Sequence, residues 1–104
     1  MNEPTPGAPP PLPIEHQHSA REGAFVVERG GERLAELTYV MTGERVATIE
    51  HTRVSDALRG QGVARRLVEA AVAWARQSGT RLVPVCTYAK KVLEHGEAFR
   101  DVLA

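Results

Sequence analysis

The chain has 104 residues, enough for one small domain. Its 13 lysines and arginines balance 13 aspartates and glutamates, so it carries no global basic field and does not read as a dedicated nucleic-acid binder. One cysteine excludes an internal disulfide and a multi-cysteine zinc site, and no apolar run approaches the roughly 20 residues that span a bilayer.

The N-terminus comes first. Six of the seven prolines lie between Pro4 and Pro13. Proline lacks an N–H and has a fixed φ, so this run forms neither helix nor sheet ladder. Residues 1–20 are expected to be an extended, disordered Pro-rich tail, and residues 21–104 the folding unit. Such a tail can also dock into a partner's aromatic groove. No basic stretch followed by an apolar core opens the chain, so it does not read as a secretory signal. A lone thiol suits a reducing compartment, and a cytoplasmic location is expected.

Ala24 to Glu28 reads as a strand, and Arg29-Gly30-Gly31-Glu32 as a hairpin turn, because paired glycines accept the positive φ of tight turns. Residues 33–41 form a second strand with Ala35, Leu37, Tyr39 and Met41 on one face. Thr42-Gly43-Glu44 is the next turn. Residues 45–54 form a third strand. Period 2 puts Ala47, Ile49 and His51 on one side and Val46, Thr48, Glu50 and Thr52 on the other. Together these predict an antiparallel meander.

The period then changes. From Gly62 to Ser78, Val63, Ala64, Leu67, Val68, Ala70, Ala71, Trp74 and Ala75 share one helical face, and Gly79 is placed to stop the helix. Trp74 reads as a core residue. Arg81 to Cys86 is a short strand, and strand–helix–strand order implies a right-handed crossover with this strand parallel to the third. Pro84 within it suits a place where pairing breaks. Thr87 is expected to cap a short helix, Tyr88 to Glu94. Gly96 ends that helix, and Glu97 to Leu103 adds a last helical turn over the core.

Between the third strand and the helix lies Leu58-Arg59-Gly60-Gln61-Gly62-Val63-Ala64. A glycine-rich turn at a helix start leaves backbone N–H groups free at one spot, where the helix dipole adds partial positive charge. That arrangement binds phosphate. The dinucleotide fingerprint Gly-x-Gly-x-x-Gly is absent, and the meander before the turn is antiparallel, so this is not the dinucleotide-binding unit.

In this context the pattern Arg-x-x-Gly-x-Ala at Arg59, Gly62 and Ala64 resembles the pyrophosphate motif of the GNAT superfamily of acetyl-CoA-dependent N-acyltransferases. The chain is similar in particular to a group of very small members close to its own length. The resemblance runs through Glu50-His51-Thr52-Arg53-Val54, the glycine turn, Leu67-Val68-Glu69-Ala70-Ala71, Val83-Pro84-Val85-Cys86-Thr87-Tyr88 and His95-x-Glu97-x-Phe99-x-Asp101. It covers residues 23–104. These members lack the two N-terminal helices with which larger relatives build an acceptor site.

The resemblance implies an α/β GNAT-like mixed sheet, an antiparallel meander followed by a β-α-β crossover and C-terminal helices. It implies acetyl-CoA or coenzyme A as the CoA thioester partner, and an unidentified amine or protein lysine as acceptor. The pantetheine arm would lie between the third strand, ending at Val54, and the strand Leu82–Cys86, pairing as an added strand does. Backbone groups at Gly60, Gln61, Gly62, Val63, Ala64 and Arg65 would hold the pyrophosphate, with charge from Arg59, Arg65 and Arg66.

Cys86 is present in the resembling proteins and implied there to act in the site. A thiol at a helix start has a lowered pKa and can accept an acyl group. His51 is a candidate base for it. Tyr88 is a candidate acid for the departing thiolate, and Glu50 a candidate base through water. Lys90 and Lys91 read as a solvated face that can also touch the 3′-phosphate. The leading reading is an N-acyltransferase. The alternative is a non-catalytic CoA or acyl-CoA binding module, and a third is an interaction domain using the proline tail.

Overall fold

The computed structural model describes residues 12–104, so the part of the expected tail at 1–11 lies outside the described residues. Five strands make one sheet in chain order: β1 (Glu15–His18), β2 (Glu22–Arg29), β3 (Glu32–Gly43), β4 (Val46–Val54) and β5 (Arg81–Pro84). β1 to β4 are antiparallel neighbours, and β5 lies parallel to β4. Helix α1 (Val63–Ser78) makes the crossover between them, and α2 (Thr87–His95) and a 3-10 turn (Glu97–Val102) follow. Among the described residues no helix is long and apolar enough to cross a membrane.

β1 corrects the expectation of a tail through residue 20. Glu15-His16-Gln17-His18 has no apolar face of its own, which hides it in the sequence. It is a strand because β2 pairs with it and because His16 packs on Phe25, with ring centroids 4.2 Å apart. The Tyr39 hydroxyl is 2.6 Å from His16 Nε2. Arg66 adds a tie from α1, its Nη2 donating to the Leu12 carbonyl at 2.9 Å.

The first hairpin turns at Gly30 and Gly31, both at positive φ as expected. The second turn is one step later than expected. Gly43 belongs to β3, and the chain reverses through Glu44 and Arg45, with Arg45 at φ 58°. α1 begins after Gly62 and ends at Gly79, both in the left-handed region.

Val27, Phe25, Ala35, Leu37, Tyr39, Ala47 and Ile49 pack against Val63, Leu67, Val68, Ala71, Val72 and Ala75 of α1 and Ala89 and Leu93 of α2 in one core. Trp74 is partly buried on that core, its ring 4.8 Å from Tyr39, as expected of a packing residue. Val72 joins the buried face as well, filling the stripe between Val68 and Ala75.

The register of β3 with β4 holds the main departure from the sequence reading. Tyr39 faces Ile49, but Thr38 faces His51, so Glu50 is an extra residue in β4. A bulge of this kind resets the alternation. Residues opposite each other share a face. Leu37 is opposite Thr52 and Ala35 is opposite Val54, so Thr52 and Val54 share the helix face with Ala47 and Ile49. His51 leaves that face. It lies on the second face of the sheet, in a row with Gln17, Ala24 and Thr38 across four strands.

Candidate active site

Parallel pairing of β4 with β5 runs only from Val46–Arg81 to Ile49–Pro84. Pro84 has no N–H to extend the ladder. The amides of Val85 and Cys86 both turn onto the Ile49 carbonyl at 3.1 Å, and α2 starts immediately after them. β4 continues through Val54 without β5 beside it. From Glu50 onward β4 therefore has no strand partner on this side, as the proline led one to expect.

The glycine turn stands at the end of the same strand. Gly60 and Gly62 have φ of 75° and 69°, a conformation that excludes most side chains. A Cβ at either would meet nothing within 4 Å, so the space in front of the turn is open. The first bond of α1 runs from the Arg66 N–H to the Gly62 carbonyl at 3.1 Å. The amides of Val63, Ala64 and Arg65 precede that ladder, and Gly62 supplies no side-chain cap. This turn has the free amides and the clearance that a pyrophosphate needs.

The three arginines differ. Arg59 is exposed, with Nη2 3.1 Å from Asp56. Arg65 lies with its guanidinium carbon 5.8 Å from the Phe99 ring centre and Nε 3.5 Å from Glu69. Arg66 Nη2 donates to the Leu12 carbonyl at 2.9 Å. A cavity of about 470 Å³ adjoins the helix start, lined by Arg65, Tyr88, Lys91, Val92, His95 and Phe99. Tyr88 thus stands on the same side as Arg65. Lys90 lies in a shallower recess with Thr87 and Glu94.

Cys86, not Thr87, takes the N-cap position of α2. Its side chain is half-buried, and Sγ lies 3.5 Å from Thr52 Oγ1. Burial pushes the thiol up. The amides of Ala89, Tyr88 and Thr52 and the Thr52 hydroxyl outweigh it, so the pKa falls below the ordinary thiol value. Its place at the start of α2 is what brings the Ala89 and Tyr88 amides to the sulfur. Val85 beside it is 65% exposed, an apolar side chain left in the open at the gap.

His51 does not join Cys86, and the expected pairing of the two is corrected. The bulge gives Thr52 to the helix face, where it meets the sulfur, and His51 to the second face. There His51 Nε2 lies 2.7 Å from Glu36 Oε2, and Nδ1 lies 3.2 Å from the Thr38 hydroxyl. The His51 hydrogen bond holds the Glu36 carboxyl below its usual range; burial opposes this, and Arg33 and Arg53 reinforce it. A groove of about 450 Å³ runs past this group, lined by Gln17, Ala24, Arg33, Thr38, Glu50 and His51 among others. Sequence reading missed Thr52, Thr38 and Glu36, because their roles follow from cross-strand register that no single strand displays. Among the described residues no three histidine, cysteine or carboxylate groups come together as a metal site.

Comparison with known proteins agrees with this geometry. The family model described as GCN5-related N-acetyl-transferase matches residues 24–102. Protein NATD1 of Bos taurus is 35% identical over 92 residues, covering 86% of this chain and 81% of that protein. Protein NATD1 of Homo sapiens is 32% identical, covering 79% and 74%. A GCN5-like protein from Staphylococcus aureus, solved by NMR, is 32% identical with a TM-score of 0.66, covering 86% of this chain and 87% of that one. The aminoglycoside N-acetyltransferase AAC(6')-Iy, solved with CoA, shares the fold at a TM-score of 0.54 and 19% identity, covering 74% and 67%. The mixed sheet, its single crossover and the glycine turn at the crossover helix are the GNAT fold, and the chain belongs to the GCN5-related N-acetyltransferase family.

Proposed function

We propose that the protein is an N-acyltransferase that takes acetyl-CoA as its acyl donor and an amine as its acceptor. The observation that carries this is the alignment of two features on one strand. The edge of β4 that lacks a strand partner begins at Glu50, and the glycine turn with its free amides follows Val54. An extended amide-bearing arm pairs with such an edge as an added strand does. A pyrophosphate at its end then reaches Gly60 to Arg65, with charge from Arg59 and Arg65. Arg65, Lys91 and Phe99 border the cavity next to the turn, a polar and aromatic recess suited to the nucleotide end.

The thioester of the bound substrate lies at the gap in this reading, between the two faces of the sheet. Direct attack by the amine forms the C–N bond and releases the CoA thiolate. Tyr88 is the candidate donor of a proton to that thiolate. Cys86 is the candidate nucleophile in a two-step variant, in which its thiolate takes the acetyl group and passes it to the amine. The lowered thiol pKa supports this variant.

A second reading, a CoA or acyl-CoA binding module without turnover, draws support from the acceptor side. Among the described residues only β1 precedes β2, and no helix covers the second face. Intact mass spectrometry with acetyl-CoA in the absence of added thiols, beside calorimetry with CoA, separates the readings. An acetyl adduct absent in Cys86→Ala supports the two-step enzyme. Binding without an adduct, followed by acetylation of an added amine, supports direct transfer. Binding without either supports the module. Absence of CoA binding refutes both.

A further inference from the structure

The groove on the second face holds an uneven set of charges. Arg33 donates to Gln17 at 2.8 Å and to Glu36 at 3.3 Å, and its Nε lies 3.6 Å from Glu28. Glu36 is also held by His51 and Arg53. These charges satisfy one another at the Arg33 and Gln17 side of the groove. Glu22 and Glu50 differ from them. Both line the groove and both are exposed. Among the described residues neither carboxylate meets a cation or a hydrogen-bond donor.

The ladder sets their spacing. Glu22 is opposite Val40, and Val40 is opposite Thr48, so Glu22 stands two strands away from β4. Neighbouring strands lie about 4.8 Å apart, which puts Glu22 about 10 Å across the sheet from β4. Val40, half-buried on β3, lies between them. The face therefore presents a carboxylate, an apolar strip and a second carboxylate. Glu50 is the bulged residue and the first at which β5 no longer pairs, so its end of the row is at the gap. Glu22 is the remote end. Among the described residues no helix covers this face.

We infer that the acceptor is a linear dication, an α,ω-diamine or polyamine, and that Glu22 is the residue that selects it. The inference rests on the acyl-transfer reading above and names the acceptor class for it. One ammonium pairs with Glu22, the methylene chain crosses Val40, and the other nitrogen reaches the gap beside Glu50, where the thioester lies. Glu22 takes no part in the bond changes. At the near nitrogen, in its neutral form, the C–N bond forms as the C–S bond breaks, and one N–H proton goes to the CoA thiolate. The products are CoA and a monoacetylated amine that is still cationic at its far end. The contact with Glu22 is the same before and during transfer, so it lowers KM and leaves kcat alone.

The test uses the full chain with acetyl-CoA at about pH 8, where imidazole is neutral and alkylammonium groups stay charged. 1,8-Diaminooctane spans the row; n-octylamine has the length but one charge; 1,3-diaminopropane has two charges but cannot reach both ends. Counted per amino group, kcat/KM for 1,8-diaminooctane should exceed that for n-octylamine by roughly fivefold, the upper range for an exposed ion pair. 1,3-Diaminopropane should show no such gain over n-propylamine. Glu22→Gln should remove the preference by raising KM for the long diamine, with kcat and the n-octylamine constants kept. Glu22→Lys should invert it. Glu32→Gln changes net charge equally at an exposed position outside the groove and should keep the preference. A wild type without the preference, a preference that survives Glu22→Gln, or one lost equally in Glu32→Gln would overturn the inference. So would a protein that binds acetyl-CoA yet acetylates none of these amines. Failure to bind acetyl-CoA, read by calorimetry, sinks instead the acyl-transfer reading.

Discussion

The sulfur of Cys86 stands 3.5 Å from the hydroxyl of Thr52, across the gap where β4 and β5 part. The two residues come from opposite sides of the crossover, yet the thiol depends on both. Burial opposes the thiolate, while amides of α2 and the Thr52 hydroxyl favour it. The fraction of thiolate at neutral pH is therefore raised over that of an ordinary cysteine. Thr52→Val keeps the shape and removes the hydroxyl. It should move the midpoint of the iodoacetamide alkylation rate to higher pH. A midpoint that stays where it was would assign the whole effect to backbone amides.

Gly62 permits a comparison that isolates charge. Asparagine and aspartate tolerate the left-handed region better than other side chains, and there is room for either. Gly62→Asn and Gly62→Asp should lose similar stability, up to about 1–2 kcal/mol. The aspartate places a carboxylate where the phosphates would lie. CoA affinity by calorimetry should be at least roughly tenfold weaker for Gly62→Asp than for Gly62→Asn. Equal affinities would move the pyrophosphate elsewhere.

His16 makes the docking of β1 sensitive to acid. Burial lowers its pKa below the ordinary imidazole value of 6.5, and His18 beside it lowers it further. Its other close neighbours, Phe25, Tyr39 and Trp74, bring no negative charge at neutral pH. The unfolded chain therefore binds the proton more readily than the folded one. The stability linked to His16 is fully present above about 6.5 and falls as pH drops toward the lowered folded value, where the loss levels off. Amide exchange of residues 15–18 should quicken over that window, measured against the α1 core. His16→Phe should remove the dependence, and an unchanged pH response in that variant would assign it elsewhere.

Gly23 is required by its neighbour across the ladder. A Cβ there would come 2.8 Å from Tyr39 Cε2, so the ring could not keep its position. Gly23→Ala should cost about 1–3 kcal/mol, as overpacking usually does, and should break the contact of the Tyr39 hydroxyl with His16. Thermal unfolding and the tyrosine ultraviolet spectrum read these two effects separately. A variant with wild-type melting would show that the ring moves freely.

Much of the fold was legible because each helix or hairpin announces itself locally. The paired glycines at 30 and 31, the apolar stripe of α1 and its glycine stop all depend on residues within a few positions of one another. Pro84 marked the end of strand pairing for an equally local reason. β1 was hidden because four polar residues fold there only through contacts with β2, β3 and α1. The faces of His51 and Thr52 were read the wrong way round for a related reason. Strict alternation is a property of one strand, whereas the bulge at Glu50 is a property of two. The residue types at the site were therefore legible, but not which of them meet.

The bulge has a consequence for how such a site tolerates change in length. Removing Glu50 alone would leave every side chain of the Cys86 and His51 surroundings chemically intact. It would also restore simple alternation while keeping Ile49 and Thr52 on the helix face and His51 on the second face, because Glu50 is the one residue that β4 carries in excess there. One codon lost at this point is thus absorbed by the ladder, whereas a residue removed from an unbulged stretch turns every side chain beyond it to the other surface. The same codon lost in the turn at Glu44 would shorten a loop and leave both surfaces as they are.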